Sequence, residues 1–406
     1  MSKAADPNQG GEPSPSRNIG KLRLPRVKGV DAARCVALLG MLAVNVLPAE
    51  TFREEPTLTT LLLAGRASAL FAVLAGVSLA FISGGRHRFR DRPLLVSKAG
   101  LAVRAVLVLC LGLGIAYADP GVAIILAYYG VMFLLAVPLL GLPPWALAAL
   151  AVGFATVAPA LLVGLQGRLP VLETVNPTVT DVVADPIGTA GLLTFTGFYP
   201  ALPWMAYLCA GLAIGRLDLS SRRTAAWLLA GGILLAAAAW AVSAFLLGTG
   251  GGFDRLVASS PGDNPRDVKD VLIYGAGEGL PGRSWWWLAV TAPYSSMPPE
   301  LLHTIGTSAA VLGLILLLGK TFDPIIGVLA PAGSMTLTLY SAHLLFMASG
   351  ILGDRPFASL AVQSGAAVIF AVIWHSSRGK GPLEAALGAA SGRVRTRVGT
   401  AGSGPS

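Results

Sequence analysis

Charged residues are scarce in this chain. Asp, Glu, Lys and Arg make up 13% of its 406 residues, where a soluble domain carries roughly a quarter. So few charges cannot cover a water-facing surface, and most of the surface must meet lipid. Cysteine is also rare. Cys35, Cys110 and Cys209 are odd in number, show no Cys-x-x-Cys spacing and fall in apolar runs. That excludes a disulfide framework and a thiolate metal site, and leaves small packing residues. No His-x-x-Glu-His, Walker loop, Gly-x-Ser-x-Gly or EF-hand pattern occurs, so zinc, P-loop, serine-hydrolase and calcium-loop chemistry lack their signatures. Four histidines in all confine imidazole chemistry to few places. No cleavable leader is expected, because residues 1–25 are polar and rich in Pro, Ser and Gly, and no apolar run begins before Val30.

What remains is hydrophobic. Apolar residues make up 54% of the chain, and the mean hydropathy is +0.68. A transmembrane helix needs about 20 apolar residues. Ten runs meet that need, near 30–48, 57–83, 97–118, 121–140, 144–166, 188–215, 224–248, 300–319, 325–352 and 357–375. The expected fold class is all-α, a polytopic integral membrane helix bundle of about ten transmembrane helices. Proline inside several runs (Pro138, Pro159, Pro200, Pro203, Pro331) predicts kinks.

Ten crossings put alternate loops on one side. Twenty Lys and Arg then fall on the side of the N-terminus and seven on the other. Excess positive charge marks the cytoplasmic face, so both termini are expected in the cytoplasm of a multi-pass plasma (inner) membrane protein. The asymmetry accounts for the net charge of +9 without a nucleic-acid partner. Residues 1–28 read as a disordered cytoplasmic tail, 29–377 as the transmembrane domain, 249–299 as its extracytoplasmic loop and 378–406 as a second cytoplasmic tail. The loop carries Trp285-Trp286-Trp287, which suits an interfacial anchor or a platform for a sugar or lipid acceptor.

Ionisable side chains inside apolar runs are costly and mark candidate sites. Asp31, Arg34 and Asn45 share one face of the first run, spaced as a polar stripe along a helix. Asp31 and Arg34 suit either an ion pair or a substrate contact, and Asn45 either an interhelical hydrogen bond or a catalytic role. Arg66 lies deeper and can anchor an anionic group or a developing oxyanion. His303 opens the eighth run and His343 sits toward the far end of the ninth, at the depth expected for Asn45. Thr336, Tyr340 and His343 follow i, i+4, i+7 spacing, so they share a helix face. Either histidine suits a packing role or a general base near neutral pH. Tyr199, toward the outer part of its proline-kinked run, is a further candidate. His87 and His375 fall in basic or interfacial stretches and read as solvated.

The segment from Gly29-Val30-Asp31-Ala32-Ala33-Arg34 through Met41 to Val44-Asn45 resembles the opening of the heparan-alpha-glucosaminide N-acetyltransferase catalytic family and the related YeiB-like membrane proteins. Gly65-Arg66-Ala67-Ser68 with Leu74-Ala75-Gly76-Val77-Ser78 is similar to their second block. Gly333-Ser334-Met335-Thr336 through Tyr340-Ser341-Ala342-His343, and Arg378 with Gly381-Pro382-Leu383-Glu384, are similar to the YeiB-like ending. The resemblance implies a membrane acyltransferase. It would take acetyl from cytosolic acetyl-CoA, a donor substrate, and deliver it to an extracytoplasmic sugar, glycan or glycolipid acceptor, with no metal. Asn45 matches the family's site asparagine. Cys35 stands where the pattern has Gly, and residues 46–60 hold no histidine where the family enzymes place one. A histidine role then falls to His343 or His303, with Asp31, Arg34, Arg66, Tyr199 and Tyr340 as substrate-binding candidates. A transporter or flippase for an envelope component is the alternative, since polar residues at mid-depth and proline-broken helices also suit a substrate path.

Overall fold

The computed structural model describes residues 27–169, 172, 174–277, 280, 282–319 and 321–400. Of the tail expected at 1–28, all but Val27 and Lys28 lies outside these residues. Among the described residues the chain is helical, with one isolated bridge between Glu50 and Pro56 and no strand. Seven helices are long and apolar enough to cross a membrane, or up to nine if each bent pair is one span.

Local chemistry sets where these helices start and stop. α1 (Lys28–Val46) has Asp31 in its first turn, where a carboxylate suits the helix dipole. It ends at Leu47, whose extended backbone fits a residue before proline. α2 (Leu58–Leu63) is capped by the Thr57 side chain, which accepts from the Thr60 amide. α3 (Arg66–Ile82) follows within the same apolar span after Gly65, whose φ of +72° is open to glycine at little cost. α4 (Asp91–Ile115) stops before the left-handed Asp119 and Pro120.

α5 (Ile125–Ala136) is only 12 residues long. Pro138 opens a 3-10 turn right after it, so the fourth expected run is a helix too short to count as a span. α6 (Pro144–Gly164) keeps Pro159 inside. After the short α7 (Val179–Ala184) and α8 (Pro186–Gly191), a π-helical turn and Pro200 bend the chain by 49° into α9 (Ala201–Ile214).

α10 (Arg222–Leu247) leads into the long connection. There α11 (Gly252–Ser259), α12 (Pro265–Tyr274) and a 3-10 turn at Trp285–Ala289 fold over a small core of Leu256, Val268, Trp287, Val290 and Met297. α13 (Pro298–Leu318) returns along α10. α14 (Asp323–Gly333) and α15 (Thr336–Ala348) meet at 68°. α16 (Pro356–Arg378) is the least buried of the seven long apolar helices, and α17 (Pro382–Thr400), within the stretch read as a tail, packs along α4.

α1, α3 and α9 form the centre. In lipid, helices associate through close contact and hydrogen bonding more than through the hydrophobic effect. Gly76 and Gly211 show this. A Cβ on Gly76 would overlap the Leu208 carbonyl, and one on Gly211 the Val73 carbonyl, so α3 and α9 touch backbone to backbone. Arg216, just past α9, ties this centre to its neighbours. It donates to the carbonyls of Ala80, Ser83, Gly85 and Leu140 and to the Ser83 hydroxyl at 2.5–3.3 Å. Burial lowers its pKa to about 10, with Arg88 adding to the shift, so it stays cationic at neutral pH. A cation there suits the carbonyl-rich, dipole-negative end of α3.

Candidate functional site

α1 delivers Asn45 one residue from its C-terminal end, and α15 delivers His343 in its second half. The two meet at Asn45 Nδ2 and His343 Nε2, 3.2 Å apart. On its other side the imidazole Nδ1 lies 2.6 Å from Gln363 Oε1 on α16, and Gln363 Nε2 donates to Ser359 Oγ at 2.9 Å. Both contacts on the ring require the same tautomer. A carbonyl oxygen can only accept, so Nδ1 carries the proton; an amide NH2 can only donate, so Nε2 presents its lone pair. His343, Gln363 and Ser359 are buried. This is the arrangement of a general base held by an orienting partner.

Tyr340 lies one turn before His343, with ring centroids 6.1 Å apart. Its hydroxyl and that of Tyr129 are buried without a hydrogen-bond partner of good geometry among the described residues. Tyr199 sits instead in an aromatic cluster, at 5.8 Å from Tyr128, 5.0 Å from Trp204 and 6.0 Å from Tyr294.

A second histidine pair forms on α3 and α13. Gly65 ends α2 so that Arg66 opens α3. Arg66 Nε donates to His303 Nε2 at 3.4 Å, and its terminal nitrogen to the Leu61 carbonyl at 2.8 Å. His303 Nδ1 donates to the Ala236 carbonyl at 3.0 Å. One turn earlier on α13, buried Glu300 accepts from Tyr207 at 3.2 Å and interacts electrostatically with Arg66. Tyr207 also shares a hydrogen bond with Thr304 at 2.8 Å. No hydrogen bond or ion pair among the described residues joins this pair to the Asn45–His343 pair.

At the opposite end of α1, Arg34 pairs with Asp31 at 2.6 Å and donates to the Ser78 hydroxyl on α3. The polar stripe of α1 is thus divided. Asn45 serves the histidine, and Asp31 with Arg34 serves a separate ionic cluster.

Sequence reasoning missed Gln363, Glu300, Arg104 and Arg395. Three of them carried a signal. Gln363 is an amide inside the run 357–375, Arg104 a guanidinium inside 97–118, and Glu300 lies three residues before His303. Arg395 gave none, because its stretch was read as a tail.

Residues 26–243 match the family model described as heparan-alpha-glucosaminide N-acetyltransferase, catalytic. The match holds Asp31, Arg34, Asn45, Arg66 and Tyr199, and ends before His303, Tyr340 and His343. A search of curated proteins finds no match.

Proposed function

This chain belongs to the heparan-alpha-glucosaminide N-acetyltransferase catalytic family, and from that we propose that it moves acetyl from acetyl-CoA to an extracytoplasmic sugar, envelope glycan or glycolipid. The reading includes ten crossings of the plasma (inner) membrane with both termini cytoplasmic. It counts α5 with its 3-10 turn as a crossing and follows the Lys and Arg asymmetry.

The Asn45–His343–Gln363 chain carries the reading. His343 Nε2 takes the proton of the acceptor amine or hydroxyl as that nitrogen or oxygen bonds to the thioester carbonyl carbon. The carbon–sulfur bond breaks, and the CoA sulfur leaves with the proton that His343 returns. Asn45 turns its amide from the imidazole to the carbonyl oxygen, where charge builds up. Gln363 keeps the ring in the productive tautomer. Arg66 and His303 hold an anionic or hydroxyl group of the acceptor, and Tyr340 lines the approach.

The test uses purified protein with radiolabelled acetyl-CoA and an amino-sugar acceptor. Acceptor-dependent release of CoA thiol is expected. His343→Ala should lower it by about 10²–10⁴-fold while the protein still elutes as a folded species. No release by the wild type over a series of amino-sugar and hydroxyl acceptors would overturn the reading. Release retained in His343→Ala would hand the base role to His303.

A further inference from the structure

Three arginines from three helices gather near the Lys28 end of the bundle, apart from both histidine pairs. Arg34 comes from α1. Arg104 lies inside α4, and Arg34, Glu384 and Arg395 all act on it electrostatically. Arg395 comes from α17 and lies across Gly100, one turn before Arg104. A Cβ on Gly100 would overlap the Arg395 Nε, so the glycine is the seat of that side chain. The Nε atoms of Arg104 and Arg395 are buried and have no hydrogen-bond partner among the described residues.

Among the described residues, three arginines face two carboxylates, Asp31 and Glu384. Asp31 is held by Arg34 at 2.6 Å. Glu384 accepts from the backbone amides of Leu337 and Thr338 at 2.8 and 3.2 Å and from the Thr338 hydroxyl at 2.6 Å. It is committed to the start of α15. Buried guanidinium nitrogens without acceptors are unfavourable until an anion completes them. The planar fork of arginine matches phosphate oxygens.

We propose that Arg34, Arg104 and Arg395 bind the phosphate groups of a ligand that enters from the Lys28 end, with α17 supplying one wall of the site. Two sources offer that chemistry, the nucleotide part of coenzyme A and a phospholipid headgroup. The first rests on the acetyl-CoA reading. Asn45 follows Arg34 by 11 residues of α1, ~16 Å of helical rise. Phosphates at the arginines then leave the pantetheine arm to run along α1 and bring its thioester to His343.

Calorimetry on the full chain in neutral detergent tests this with coenzyme A and with inorganic pyrophosphate. Arg104→Gln and Arg395→Gln should each raise the Kd roughly tenfold or more, as expected for a lost charge-assisted contact. Gly100→Val, which displaces Arg395 without removing charge, should do the same. Arg395→Lys should recover part of the affinity, which a merely structural role would not do. A second arm compares nanodiscs of phosphatidylglycerol and phosphatidylcholine. If coenzyme A binding is indifferent to the variants but stabilisation by phosphatidylglycerol is lost in them, the phosphates belong to lipid. If neither probe distinguishes the variants from the wild type, the site is wrong. Arginine-dependent binding of coenzyme A without any thiol release would keep the site and sink the transferase reading. Thiol release with the same KM for acetyl-CoA in Arg395→Gln, and no lipid effect, would do the reverse.

Discussion

His343 is gripped by two amides that work in opposite senses. Gln363 accepts from Nδ1 and Asn45 donates to Nε2, so neither can be replaced by the other's geometry. Replacing Gln363 with Leu leaves the Nδ1 proton unsatisfied and frees the ring to change tautomer. The expected result is a loss of acetyl transfer of about 10²-fold, the low end for a displaced general base, with KM for the donor little changed. Steady-state thiol release read against acceptor concentration checks it. Both Asn45 and His343 were legible in the sequence because a polar group in lipid needs a reason. Their partner was not, since the choice of Gln363 depends on how α15 and α16 face each other. Asn45 with His343, and Arg66 with His303, form two separate hydrogen-bonded pairs. Depth along a helix is readable from residue number; which neighbour a helix face meets is not.

Among the elements, α15 depends on a residue from far along the chain. Its first turn has two amides held by Glu384 of α17, which does the work of an N-cap. Glu384→Ala should weaken that turn by about 1 kcal/mol and speed amide exchange at Leu337 and Thr338, leaving α10 and α13 unaffected. Mass spectrometry of deuterium uptake reads both regions at once. Arg216→Met is a harsher change, because it removes a buried donor from five acceptors, the Gly85 and Leu140 carbonyls among them; a loss of about 3–5 kcal/mol is expected for so buried a hub, seen as a lower thermal midpoint. The apolar runs were legible as helices because composition alone commits them to the bilayer. Their breaks were less so. Pro331 is carried inside α14, while the bend comes after Gly333, and Gly65 divides the second run where no proline stands. Glycine at positive φ is silent in a hydropathy profile. So is the docking of α17, whose sequence is too polar to announce a partner.

For the molecule as a whole, the basic residues divide unevenly between the two faces that ten crossings define. Reporter fusions at residues 90 and 270 should report cytoplasm and exterior respectively; both on one side would end the ten-crossing topology. The class of protein was plain from the shortage of charge, whereas the count of crossings hangs on the two bent pairs and on one proline-truncated helix, α5.

α16 has one more consequence. Only 17% of its apolar window is buried against the rest of the chain, yet it carries the amide that sets the His343 proton. Its place relative to α15 rests on packing against α14 and α1 along one face, and on acyl chains around the rest. Bilayers thinner or thicker than its hydrophobic length make such a helix tilt, and tilt moves Gln363 off the ring. Turnover should then pass through a maximum as lipid chain length is varied in reconstituted membranes. In that sense the protein's chemistry would be tuned by membrane mechanics, a property that detergent micelles would hide.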